Sequence, residues 1–265
     1  MAAAQITAIT PSAPFGIQYP NSVNELFTTA RKMKGDGVPQ DKIIAYVILV
    51  AKYYNIRIRS EYDVDSSIIR IVLSVNRAAR STHESQSSII YYQCNGVVIN
   101  ARTWHIISMP LRAFNRQPNI KLVDAHLAES RYDIIPIEDG TVVTLYNWVG
   151  PLGMCWSLSS SNAYDVSTVK WSGSRTYAQI IYDLCVRLYP AFVESSGMTL
   201  DTTNDDALLQ CPKLDLKYCY TFGFRHHDFH PVTHDQERMW QIRSVDMTNG
   251  VSDSVDRLIG IPMQV

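Results

Sequence analysis

The sequence predicts an α+β fold of mostly antiparallel sheets with helices packed against them. Three observations carry this reading. Period-two alternation of apolar residues recurs along much of the chain, and helical spacing is confined to a few stretches. No repeat, low-complexity tract or Gly/Ser linker separates the two patterns. With 265 residues and 30.0 kDa the chain can bury one large core or two small ones. The organisation read from it is one domain over residues 21–265 behind an extended arm, 1–20.

Ser22-Val23-Asn24-Glu25 precedes Leu26, Phe27, Ala30 and Met33, an amphipathic helical spacing that ends at Gly35-Asp36-Gly37. Asp41 is placed to cap a second helix, whose Ile43, Ile44, Val47, Ile48, Ala51 and Tyr54 form a broad apolar stripe. From Ile56 the period becomes two, and Ile56–Arg59 with Ile68–Leu73 reads as a hairpin joined by Tyr62–Ser67. Arg77–Ser88 is polar and aperiodic, a loop. Ile89–Tyr92 then resumes as a strand running into Cys94–Ile99, and Thr103–Met109 is a further strand. Leu111–Gln117 is a short helix or turn.

Ile134–Ile137 and Thr141–Leu145 flank Glu138-Asp139-Gly140, and Asp-Gly between β-branched runs predicts a hairpin. Met154–Leu158 is a strand and Ser159–Asn162 a polar turn. The spacing of Ile180, Ile181, Leu184, Cys185 and Leu188 predicts a helix over Arg175–Tyr189, stopped by Pro190. Val193–Pro212 reads as a polar insertion or loop. Tyr218–Phe224 is a strand, Met239–Val245 the last one, and Ser252–Ile259 a short helix.

Lys+Arg 24 against Asp+Glu 25 gives a formal charge of -1, so any nucleic-acid binding must come from a local patch. Five scattered cysteines without a C-x-x-C pair read as small buried hydrophobes in a reducing compartment. Met1–Pro14 lacks the basic and apolar regions of a secretory signal, and Ile43–Tyr54 is too short to span a bilayer. The expected setting is therefore cytoplasmic, without a membrane span.

Several short segments follow one another in a definite order. They are Ser81-Thr82-His83-Glu84, Cys94-Asn95-Gly96-Val97-Val98, and Ser108-Met109-Pro110-Leu111-Arg112-Ala113-Phe114-Asn115. Then come Ile137-Glu138-Asp139-Gly140-Thr141-Val142-Val143-Thr144, Trp156–Ser161, Tyr220-Thr221-Phe222 and Arg243–Gly250. This order resembles the phage-type RNA ligases, covalent nucleotidyltransferases that seal RNA ends with ATP. The corresponding family elements are a serine/threonine-acid loop, R-G-I/V, S-R-P-x-x-K-F-F-N, K-E-D-G-S-L-V-S, a K-S-K-G-type turn, F-E-F and N-E-T-G-E. The match runs from about Ile56 to Ile259, and it implies a nucleotidyltransferase (RNA-ligase-like) domain.

The departures fall on the chemistry. In that family a lysine amine attacks the α-phosphorus of the nucleotide, and here that position is Ile137, which has no amine. The arginine of R-G-I/V is Asn95, the arginine beside the proline is Met109, and the acid of F-E-F is Thr221. The family's terminal lysine-bearing strand, due after Ile259, is not read before Val265. Loss of charges of both signs implies a scaffold that has stopped transferring nucleotides and holds no cofactor. What matches, including Gly96, Phe114, Asn115, Asp139 and Gly140, is what folding needs.

Arg57 and Arg59 share a direction by alternation. With Arg70, Arg77, Arg80, Tyr53, Tyr54 and Tyr62 they form either a face for phosphates and bases or the solvated side of a sheet. Arg112 and Arg116 lie beside the nucleotide cleft that the resemblance implies. Arg225–Asp235 is the densest group of metal-ligand types, with His226, His230 and His234 as candidates. Pro231 and the absence of helical spacing favour a polar turn there, and His226 and His227 on a strand would point apart, so no metal is expected.

There is no G-x-S-x-G elbow, P-loop or G-x-G-x-x-G. Five tryptophans and fifteen tyrosines suit stable contacts, so protein partners or a homo-oligomer are expected, and RNA is a further candidate partner. The resemblance adds a virion or assembly role as a setting. The expectation is a catalytically inactive RNA-ligase-like structural or binding module. Its rival is an active ATP-dependent RNA ligase, or an RNA-end-binding protein, using a displaced lysine such as Lys121 or Lys170.

Overall fold

The computed structural model describes residues 19–63, 67–75, 89–110, 140–150, 153–170, 174–202, 208–227, 236–248, 251–253 and 260–262. Two helices open the chain, α1 (Val23–Gly35) and α2 (Gln40–Tyr53). The Ser22 hydroxyl accepts from the Glu25 amide, and Lys32 and Lys34 sit at the negative end of α1. In α2 the N-cap is Pro39, with no side-chain cap bond, so Asp41 is not the cap. It lies inside the first turn, where its charge favours the positive end of the helix.

The first sheet has the order β1-β2-β3-β4 and is antiparallel throughout: β1 (Ile56–Tyr62), β2 (Ile68–Val75), β3 (Val97–Asn100) and β4 (His105–Ser108). Opposite Ile56 and Ile58 stand Val75 and Leu73, and this side packs on Leu26, Phe27, Ile43, Val47 and Val50 of the two helices. The β1–β2 hairpin is the one the alternation predicts. Ile89–Tyr92, expected as a strand, lies instead in a short helix, α3 (Ile89–Gln93). A four-residue apolar run carries no periodicity that separates the two, and here Ile90, Tyr91 and Cys94 pack into the helical side of the core. The Gln93 side chain accepts from the Val23 amide at 2.9 Å, tying α3 to the start of α1.

The second sheet is formed by β5 (Thr141–Gly150), β6 (Gly153–Ser159), β9 (Tyr218–Arg225), β10 (Arg238–Asp246) and β11 (Val251–Asp253), in the order β11-β10-β9-β5-β6. Of the Asp-Gly hairpin only the second arm, β5, falls among the described residues, and it pairs with β6 and β9. Val251–Asp253 pairs with β10 as a strand, which corrects both the helix expected from Ser252 and the place of β10 as last strand.

Between the sheet's halves run α4 (Tyr177–Leu188), α5 (Pro190–Ser196), β7 (Thr199–Asp201) and β8 (Leu208–Gln210). The polar insertion expected over residues 193–212 is therefore largely structured. Pro190 stops α4 but also opens α5 at its first turn, where a missing N–H costs nothing, and Phe192, Met198 and Leu209 are buried. Thr176 and Gln179 form a reciprocal capping box at the head of α4. Its Ile180, Ile181 and Leu184 cover Val143, Leu145, Phe222 and Phe224 on the outer side of the second sheet.

The inner sides of the sheets meet at a seam built on Val72, Val98, Tyr146, Trp148, Cys219 and Val245. All five cysteines are free thiols, four buried and Cys155 half-buried. Among the described residues no helix is long and apolar enough to cross a membrane.

Candidate functional site at the seam of the two sheets

Register decides which side chains face the seam. In the first sheet these are Arg57, Arg59 and Glu61 of β1 and Arg70, Val72 and Ser74 of β2. In the second they are Thr144, Tyr146 and Trp148, then Ser157 and Ser159, then Cys219, Thr221, Gly223 and Arg225, and across a bulge Arg238, Trp240, Arg243 and Val245. These positions of β5, β6, β9 and β10 include arginine but neither lysine nor carboxylate.

Arg70, expected on an exposed basic face, is buried. Both its Nε and Nη2 donate to the Glu61 carboxylate, the latter at 2.8 Å, and Nη1 donates to the Tyr146 hydroxyl at 2.8 Å and the Ser157 hydroxyl at 3.2 Å. Asp165 stands 3.6 Å away, and the guanidinium lies 3.9 Å over the Trp148 ring. Burial alone would pull the Arg70 pKa down, but the Glu61 hydrogen bonds and the charges around it outweigh that and raise it. Burial pushes the Tyr146 phenol up, and it stays protonated as a donor to the Tyr164 carbonyl at 2.6 Å.

Thr221 is wholly buried, and its hydroxyl is 2.9 Å from that of Thr144. Beside it Ser108 and Ser159 pair hydroxyl to hydroxyl, also at 2.9 Å, and Ser159 donates to the Thr144 carbonyl at 3.4 Å. Asn95 is half-buried in the turn before Gly96. Gly96 has φ +95, its amide donates to the Leu73 carbonyl, and a Cβ there would stand 2.4 Å from the Ser160 carbonyl oxygen. Only glycine meets both conditions.

Met109 packs against the seam, and its carbonyl accepts from Arg243 at 2.8 Å; the Pro110 carbonyl accepts from the same nitrogen. Lys170 is exposed and bridges to Thr176 at the head of α4. Ile137, Arg112, Arg116, Lys121, His230 and His234 lie outside the described residues.

Arg57 is half-buried and Arg59 exposed on β1, which is an edge of its sheet. In the second sheet the Trp240 indole lies flat on glycines: a Cβ on Gly223 or Gly140 would come within 2.4 or 2.5 Å of it. Arg225 and Arg238 approach the same ring at 5.8 and 5.5 Å. Sequence reasoning did not single out this cluster; the signal available was a glycine inside the Phe-Gly-Phe strand, a mark of close approach.

A cleft of about 380 Å³ opens beside the seam, lined by Asn24, Thr28 and Arg31 of α1, His105 and Ile106 of β4, Met109, Met247 and Thr248. Partial burial, with Arg31 and Lys34 nearby, lowers the His105 pKa, so the imidazole is neutral at pH 7. No sequence motif marks this cleft, whose walls come from three separated segments.

His226 and His227 do not point apart. β9 ends at Arg225, the chain leaves strand geometry, and the two rings stack at 4.3 Å and 25°. Both face Glu237, His226 Nε2 at 3.1 Å from Oε1 and His227 Nδ1 in contact with the same atom. Burial pushes the Glu237 carboxyl up, but Arg187 and the histidines more than offset it, and its pKa falls below the ordinary value.

Fold and site together define an α+β protein with arginines facing the seam between its two larger sheets. No protein-family model matches the chain. It is 33% identical over 180 residues, 67% of its length, to an African swine fever virus protein from a South African tick isolate, named "Putative RNA-ligase". The protein of that name from the Vero-adapted Badajoz strain is 32% identical over 180 residues, and that of a Kenyan pig isolate is 33% identical over 164 residues, 61% of this chain. The matches cover 38%, 38% and 35% of those proteins, so the chain spans well under half the length of these curated relatives. This similarity supports an RNA-ligase-like family for the chain.

Proposed function

We propose that the chain is an RNA-ligase-like domain, a single unit over residues 21–265, that no longer transfers nucleotides and serves as a binding or structural module in a viral assembly. The state of Thr221 carries this reading. Where the resemblance calls for an acid that would hold ribose or metal, a hydroxyl is sealed at 0% exposure and bonded to Thr144. A hydroxyl pair of this kind stabilises the packing of β5 on β9 and offers a ligand no charge. Ile137 in place of the nucleophilic lysine supports the same conclusion from the sequence.

Incubation of the purified chain with α-labelled ATP and Mg²⁺ tests it. The expected result is no covalent protein–AMP adduct on a denaturing gel, and an adduct overturns the proposal. The names of the viral relatives favour a second reading, an active RNA ligase. In that case the adduct forms, maps to a lysine such as Lys121 or Lys170, and disappears when that lysine is replaced by alanine.

A further inference from the structure

We propose that His226, His227 and Glu237 form a binding site for one divalent transition-metal ion of the zinc class. Two imidazoles and one carboxylate are the donor set such an ion takes, and a solvent molecule completes four-coordination. The ligand atoms of the three residues all lie within 4.8 Å of one another. Ligands held about 2.0–2.2 Å from a tetrahedral centre stand roughly 3.3–3.6 Å apart, and His226 Nε2 and Glu237 Oε1 are 3.1 Å apart. Both imidazoles address the same carboxylate oxygen, so an ion entering between them engages three donors at once.

Two paired strands set the frame. His226 and His227 follow the last residue of β9 and Glu237 precedes the first of β10, and those two strands are paired there through Arg225 and Arg238. The second carboxylate oxygen of Glu237 accepts from Arg187 Nη2 at 2.6 Å, and Arg187 Nε donates to Asp183. That arrangement orients the first oxygen toward the imidazoles, as outer partners of metal ligands do. The buried His226 ring is held by its surroundings, while His227 is 70% exposed and leaves the fourth position open to water. This site is independent of whether the chain seals RNA.

The full chain, stripped with a chelator and dialysed, is titrated with Co²⁺ and then with Zn²⁺. The expected result is one equivalent of Co²⁺ giving the intense visible band of a four-coordinate ion, which Zn²⁺ abolishes. His227→Ala, on an exposed side chain, and Glu237→Gln each weaken Co²⁺ binding at least tenfold, while the His230→Ala/His234→Ala double variant leaves it unchanged. Zn²⁺ raises the melting temperature of the wild-type chain and not that of His227→Ala. Absence of the band, or its loss in the His230/His234 variant with retention in His227→Ala, overturns the assignment.

Discussion

Arg70 shows how much one side chain can decide. A guanidinium with 4% exposure is tolerable because Glu61 takes two of its donors, Tyr146 and Ser157 take a third, and Trp148 covers its face. Arg70→Met leaves the Glu61 carboxylate without its partner, and urea denaturation is expected to show a loss of about 3–5 kcal/mol. Arg70→Met combined with Glu61→Met removes both charges and recovers much of that loss. A double variant as unstable as the single one refutes this account. In the sequence this arginine does not stand out from Arg57 and Arg59: alternation gives a shared direction to those two alone, and only the register puts Arg70 on their face. Its burial comes from residues 76–95 positions away, which no local pattern records.

At the scale of elements, the reading is surest where period and length agree, although the four-residue β3 and β4 also fall on expected strands. β1 with β2, α4 and β9 each supply five or more periodic positions, and each forms where expected. α3 and the stretch from α5 to β8 are assembled from pieces of three to seven residues, too short for a period to declare itself. The β9–β10 pair makes a prediction of its own. Trp240 needs the bare backbone of Gly223, so Gly223→Ala forces the indole aside at a cost of about 1–3 kcal/mol. Tryptophan fluorescence and thermal unfolding report the change, and an unaltered melting temperature would contradict the close approach. Among the described residues β1 is the outer strand of its sheet, and charges such as those of Arg57 and Arg59 disfavour pairing of such an edge with another chain.

For the whole molecule, net charge was a poor guide. A formal charge of -1 hides arginines gathered on the two faces that meet at the seam, and this distribution exists only once register is known. If Arg57 and Arg59 meet RNA, Arg57→Ala/Arg59→Ala weakens binding to single-stranded RNA. It also lowers the slope of log affinity against log salt by roughly 0.7 per lost contact. Fluorescence anisotropy across a salt series measures both, and unchanged values exclude this face. Of the candidate site, Asn95, Met109 and Thr221 were legible as residue types. The burial that closes Thr221, the cleft beside Met109 and the meeting of His226 with Glu237 were not, because each depends on segments brought together by the fold.

The contact at Gly96 bears on how closely the two layers can pack. Its backbone, just ahead of β3, lies so close to the carbonyl of Ser160, just after β6, that a single methyl group has no room. The two layers approach each other closely at that point. Any side chain in place of Gly96 has to push β3 and β6 apart, so this one contact sets how near the two layers can lie.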